Sequence, residues 1–187
     1  MRLFLAIELG SSLLDALDVA IAPLREEVAE IAWVPREKRH LTLKFLGDVE
    51  GGGASRITAA VERVAAGHRP FELTLREVGA FPNFRRARVV WIGVEHDPRL
   101  ELLQHDLEVA CEEAGFEVEG RPFRPHVTVA RVRVPWQVER ARQVARLARS
   151  VRWSATEMVQ GVTLMESMLA PAGARYVRLH AATLRGR

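Results

Sequence analysis

Two tetrapeptides, His40-Leu41-Thr42-Leu43 and His126-Val127-Thr128-Val129, repeat one pattern in which a histidine and a threonine alternate with two aliphatic residues. Alternation at period two marks a half-buried strand, so each imidazole shares a face with a hydroxyl while the aliphatic pair turns to a core. With six histidines and seven threonines in the chain, about 0.2 His-x-Thr triplets are expected by chance, and about 0.05 once both other positions must be apolar. Two occur. Either motif alone is a weak signal, and the pairing carries the specificity.

The flanking sequence repeats as well. Residues Arg2 to Leu9 alternate, with Leu3, Leu5, Ile7 and Leu9 on one face, and so open the chain with a strand. Ser11 and Ser12 offer N-caps to an apolar-periodic stretch reaching Ile31, which Pro23 should kink or break. After an irregular link through Pro35 comes a strand from His40 to Leu46, ended by Gly47 and Gly51-Gly52-Gly53. A helix from about Ser55 to Ala66, strands at Phe71 to Val78 and Arg88 to Val94, and a helix from Pro98 to Ala114 closed by Gly115 follow. The second motif begins a strand from His126 to Val132. A helix from near Pro135 and three strands complete the chain, the last two joined at Pro171-Ala172-Gly173.

From each motif histidine the order is strand, amphipathic helix, two strands, at a spacing of 86 residues (126 − 40). That period is too long for a solenoid and fits two lobes related by a pseudo-two-fold axis with a cleft between them. The expectation is an α+β fold, bilobal and duplicated, in which residues 1–187 form one domain, one lobe carrying residues 40–43 and the other 126–129.

A single strand histidine is more often a packed or solvated residue than a catalyst, but two in matching contexts point to one site. An unperturbed imidazole titrates at about 6.5, so a facing pair supplies an acid and a base at neutral pH. Opening a cyclic phosphodiester needs both, and the Thr42 and Thr128 hydroxyls would orient the phosphate and stabilise charge on its non-bridging oxygens. As a metal site, His-x-Thr offers one good ligand per motif, without the third histidine or carboxylate that zinc or iron wants. No metal or other cofactor is expected. His68, His96, His105 and His180 lack such a context and read as solvated or structural. Lys44 shares strand parity with His40 and Thr42 and would add charge near the phosphate, unless it is an ordinary solvated lysine. Trp33, Phe84 and Phe123 flank the motifs where a base would stack, unless they belong to the core.

The basic residues number 27, of which Lys38 and Lys44 are the only lysines. Guanidinium groups suit phosphate, although codon bias produces the same enrichment and a formal charge of +3 proves no site. The apolar runs fall far short of a membrane span, and MRLFLAIELG lacks a basic leader region and a cleavage site, so a cytoplasmic protein with no membrane partner is expected. The lone Cys111 reads as a small buried hydrophobe.

On these motifs the sequence resembles the 2H phosphoesterase superfamily, and within it the bacterial and archaeal RNA 2',3'-cyclic phosphodiesterases, also called 2'-5' RNA ligases. The resemblance spans nearly the whole chain, through RLFLAIEL, WVPREKRHLTLKFLGDV, GAFPNFRRARVVWIGV, RPFRPHVTVARVR and SMLAPAGARYVRL. It implies two antiparallel sheets lining a central groove with helices packed outside. It also implies metal-independent hydrolysis of RNA 2',3'-cyclic phosphate ends to 2'-phosphomonoesters, with His40 as proton donor and His126 as acceptor. Replacing the attacking water by an RNA 5'-hydroxyl gives 2'-5' ligation. The implied partner is RNA with such ends, tRNA halves among them; a monomer with no obligate protein partner is expected. Arg131 matches a family arginine, but strict alternation points it away from His126, and only a bulge or the strand end would bring it to substrate. Two other readings stand beside this one. A phosphodiesterase for small cyclic phosphates such as ADP-ribose 1'',2''-cyclic phosphate would differ in groove length and charge. A non-catalytic RNA-binding module would gain little from two matched titratable groups.

Overall fold

The computed structural model describes residues 1–169 and 173–186. Pro171 and Ala172 of the expected turn lie outside them. The elements are β1 (Arg2–Glu8), α1 (Ser11–Glu27), β2 (Ala32–Trp33), β3 (His40–Asp48), α2 (Gly53–Gly67), β4 (Phe71–Phe81), β5 (Val89–Val94), α3 (Pro98–Glu113), β6 (His126–Arg131), α4 (Val138–Ser150), β7 (Ser154–Val159), β8 (Gly161–Met168) and β9 (Arg175–Thr183). Among the described residues no helix is long and apolar enough to cross a membrane.

Alternation in β1 is as expected, with Leu3, Leu5, Ile7 and Leu9 in the main core. Two expectations for the following helix fail. The N-cap is Gly10 and not a serine: its amide donates to the Glu157 carboxylate at 2.9 Å, and a Cβ there would sit 2.7 Å from Glu157 Oε2. The helix also runs through Pro23 and ends at Glu27, short of Ile31. Pro23 removes only the bond to the Val19 carbonyl, and Val19 lies on the solvent face, where water can replace that donor. The buried stripe is Leu13, Leu14, Leu17, Ile21 and Leu24.

The strands form one continuous antiparallel sheet in the order β7-β4-β5-β6-β3-β1-β8-β9, with β2 paired to β6. The two sheets implied for the lobes are its halves, β7-β4-β5-β6 and β3-β1-β8-β9. They are joined by a single pair, Leu41 with Val127. Both side chains are fully buried, each worth about 1.5–3 kcal/mol of hydrophobic stabilisation. All four helices contribute to the core on one face, α2 and α3 behind the β3 half and α1 and α4 behind the β6 half. The other face is free of helices among the described residues and carries a small buried apolar cluster of Phe4, Ala6 and Met165 with Tyr176 against it.

The repeated order after each motif histidine is present, as β3-α2-β4-β5 and β6-α4-β7-β8. The spatial repeat is different. β5 lies beside β6 as β1 lies beside β3, so the equivalent units are β1-α1-β3-α2-β4 and β5-α3-β6-α4-β8, each giving its last strand to the other half. Sequence order favours pairing of consecutive strands, as in β4–β5 and β8–β9, but does not reveal the pairing of β1 with β8 across nearly the whole chain.

Candidate active site

Both motif strands deliver their polar face to the uncovered side. Leu41, Leu43, Val127 and Val129 are buried in the core, while His40, Thr42, His126 and Thr128 are half-buried on the opposite face. Because β3 and β6 run antiparallel through Leu41 and Val127, the residues flanking that pair set His40 across from Thr128 and Thr42 across from His126. Each histidine thus faces the other motif's threonine, and the two imidazoles lie on a diagonal.

The local geometry around the two rings matches. His40 Nδ1 donates to the Lys38 carbonyl at 2.9 Å, and His126 Nδ1 donates to the Arg124 carbonyl at 2.7 Å. A carbonyl only accepts, so both rings carry their proton on Nδ1 and present Nε2 outward. Each ring also meets an aromatic edge-to-face: His40 with Tyr176 at 5.2 Å and 87°, His126 with Phe81 at 4.9 Å and 86°. Such a group accepts a proton at Nε2 when neutral and gives one when charged.

Burial pulls both imidazoles below their ordinary value, opposed in each case by the backbone bond. Their electrostatic surroundings differ. Glu8 of β1 pairs directly with His40, and its negative charge favours the protonated ring, while His126 and Arg131 oppose it. At the equivalent place beside His126 stands Gly93. A Cβ there would meet the Arg76 carbonyl at 2.9 Å and the Trp91 ring at 3.2 Å, so no acidic side chain fits.

A β-bulge in each motif strand decides two expectations made from alternation. Leu5 pairs with Lys44 and Ala6 with Thr42, leaving Leu43 as the extra residue; Val90 pairs with Ala130 and Trp91 with Thr128, leaving Val129 as its counterpart. Each bulge resets the parity beyond it. Lys44 consequently turns into the core side, its side chain 1% exposed, paired with Glu108 of α3 and donating to the Glu117 carbonyl at 2.7 Å. Its ammonium is thus held by protein groups, although the residue also lines the cavity that opens beside Thr42. Arg131 is carried the other way, exposed and close enough to His40 to act on its charge.

A cavity of about 610 Å³ opens beside Thr42 and His126, walled by Phe45, Phe81 and Phe123 with Arg121 and Arg124 at its rim. Of the three aromatics expected near the site, Phe123 alone lines it. Trp33 packs on the core with its indole N–H donating to the Val28 carbonyl at 2.9 Å, and Phe84 also packs on the core.

A family model described as the 2'-5' RNA ligase superfamily matches residues 13–164. The chain belongs to that superfamily. This 2'-5' RNA ligase superfamily member is 37% identical over 175 residues to an RNA 2',3'-cyclic phosphodiesterase of Methanothermobacter thermautotrophicus, covering 94% of each chain. It is 33% identical over 197 aligned positions to one of Thermus thermophilus, covering all of this chain and 91% of the other. Among solved structures, a Thermus thermophilus protein superposes with a TM-score of 0.82 at 30% identity, over 100% of this chain and 99% of that one. E. coli LigT complexed with 3'-AMP superposes with a TM-score of 0.74 at 28% identity, over 98% and 97%.

Sequence reasoning missed several groups that this superfamily member assembles around the histidines: Glu8, Phe81, Trp91 and Tyr176. The alternation that put Leu3, Leu5 and Ile7 inward already turned Glu8 outward. For Phe81 and Tyr176 only the strand partner reveals the role, since neither is close to a motif in sequence. Three of the remaining histidines are tied to carboxylates, His68 to Asp106, His96 to Glu101 and His180 to Glu62, and His105 is exposed at the cavity's edge. Cys111 is buried in α3, which pushes its thiol up to about 11.

Proposed function

We propose that the chain hydrolyses RNA 2',3'-cyclic phosphate ends to 2'-phosphomonoesters without a metal, with His126 as general base and His40 as general acid. The observation that carries this reading is the pair of matched Nδ1 bonds, which leave two Nε2 atoms directed to one face across the Leu41–Val127 seam. The names of the relatives support the same substrate class.

A water molecule gives a proton to His126 Nε2 as its oxygen attacks phosphorus. In line, the bond from phosphorus to the ribose 3'-oxygen breaks, and His40 Nε2 protonates that oxygen. A 2'-phosphate remains, and proton exchange with water restores both rings. Thr42 and Thr128, diagonal to each other between the histidines, hydrogen-bond the non-bridging oxygens, and Arg131 offsets the charge that grows there. What favours this order of acid and base is Glu8, whose charge opposes the burial that lowers His40, while Gly93 gives His126 no such support. An RNA 5'-hydroxyl that attacks in place of water, giving its proton to His126 as the 3'-oxygen departs, leaves a 2'-5' linkage instead of a 2'-phosphate. The ends of cleaved tRNA are among the RNAs that fit this reading.

The test is to incubate the protein in EDTA with RNA ending in a 2',3'-cyclic phosphate and follow the phosphorus resonance. Conversion to a 2'-monoester is expected, and both His40→Ala and His126→Ala should abolish it. A cyclic phosphate that persists with the intact protein, or activity surviving in both variants, overturns the reading.

A further inference from the structure

We propose that the β4–β5 hairpin and the C-terminal end of β6 form a second binding surface, one that holds the phosphodiester backbone of the RNA strand leading to the cyclic end. Arg85, Arg86 and Arg88 lie on the hairpin, and Arg131 and Arg133 lie at and just beyond the end of β6; all five are exposed. Register brings the two segments together, since Val89 pairs with Arg131 and the Val132 amide donates to the Arg88 carbonyl at 2.9 Å. Among the described residues none of these five guanidinium groups meets a carboxylate, whereas Arg36, Arg39, Arg76, Arg99, Arg140 and Arg178 all do. Clustered, uncompensated guanidinium charge is an anion-binding surface, and its planar fork suits phosphate oxygens.

The patch is continuous with the histidine pair. The hairpin closes on Phe81, whose carbonyl accepts from the Arg88 amide at 2.8 Å and whose ring meets His126 edge-on at 4.9 Å. Arg131 lies beyond Thr128 on the strand whose Thr128 faces His40. The inference rests on the reading of His40 as the acid. In-line displacement then puts the departing 3'-oxygen, and the ribose that bears it, on the His40 side. The next anionic groups on that strand are the phosphates on its 5' side; Arg131 acts on the charge of His40, and its register partner Val89 leads from there to the hairpin arginines. The cavity beside Thr42 and His126 is left for the attacking water. A cyclic mononucleotide has no phosphate to place on the hairpin, so the surface selects oligonucleotides over small cyclic phosphates.

The experiment compares adenosine 2',3'-cyclic phosphate with an oligoribonucleotide of about ten residues ending in the same group, for the intact protein and for R85A/R86A/R88A, between about 50 and 200 mM salt. With the intact protein, kcat/KM should be higher for the oligonucleotide and should fall with salt. The triple variant should lower oligonucleotide kcat/KM roughly tenfold and reduce the logarithmic salt slope by about two, with mononucleotide turnover unchanged. The charge-preserving R85K/R86K/R88K should keep most of the slope. An alanine variant with the oligonucleotide preference and slope intact overturns the surface. So does equal loss on both substrates, which marks the hairpin as a structural support. If the intact protein turns over neither substrate, the phosphodiesterase reading fails, and the RNA surface with it.

Discussion

His126 Nδ1 stands 2.7 Å from the carbonyl oxygen of Arg124, the residue two positions before it, and so has its proton committed before any substrate arrives. His40 makes the same bond to Lys38. Nitrogen chemical shifts should therefore show both neutral rings as the Nδ1–H tautomer. A dominant Nε2–H form at His126 would leave no lone pair facing the attacking water and would remove the basis of the mechanism.

Turnover should depend on pH in a way set by burial. Both rings titrate below the ordinary histidine value, so the pH profile of kcat/KM should be a bell centred on the acid side of 6.5. Its acid limb reports loss of the neutral base and its alkaline limb loss of the protonated acid. The same depression affects stability: the folded state disfavours the charged rings, so this contribution is fully present above the unfolded value and is lost as pH falls through the folded one. Thermal midpoints should drop on acidification through that window, and less so in a variant with both histidines replaced by glutamine.

Glu8→Gln keeps the acceptor for Thr163, whose hydroxyl donates to Glu8 at 2.9 Å, but removes the charge beside His40. The alkaline limb should move to lower pH, with turnover at neutral pH falling about three- to tenfold, while the acid limb stays. Movement of the acid limb instead would reverse the roles assigned to the two histidines.

Lys44→Met separates a structural lysine from a phosphate ligand. Glu108, half-buried, would lose its cation while still holding the Glu119 amide at 2.7 Å, so unfolding free energy should fall by about 1–3 kcal/mol. A variant with unchanged stability and a raised KM would show that Lys44 reaches substrate after all. The double change K44M/E108L should recover much of the loss.

Arg131→Ala should lower kcat/KM by about ten- to a hundredfold with little change in the thermal midpoint, because the side chain is exposed and its contribution is to bound phosphate. Lysine at this position should restore only part, since it lacks the bidentate fork.

The strands, the helices and the polar face of each motif were readable from periodicity, because Leu41, Thr42, Val127 and Thr128 obey plain alternation. Lys44 and Arg131 were not. Each sits just past a bulge at Leu43 or Val129, and one extra residue inverts every face after it without altering the hydrophobic pattern before it. The capping of α1 was hidden for another reason: its acceptor is Glu157, on a strand whose neighbour could not be named from order. Local propensity favoured Ser11, and tertiary contact favoured Gly10. The aromatic partners of the histidines, Phe81 and Tyr176, belong to the same class of long-range facts.

The exchange of outer strands bears on how the protein is made. Arg2 pairs with Ser167, a separation of 165 residues (167 − 2), and Tyr176 reaches His40 only once β9 is laid beside β8. A growing chain that has already released its first histidine still presents β1 with a bare edge, open to any strand that can pair with it. The first motif is therefore translated early and completed last. Nascent or truncated chains that stop before β8 should be aggregation-prone and inert toward RNA, which keeps a half-made copy from cutting cyclic ends at all.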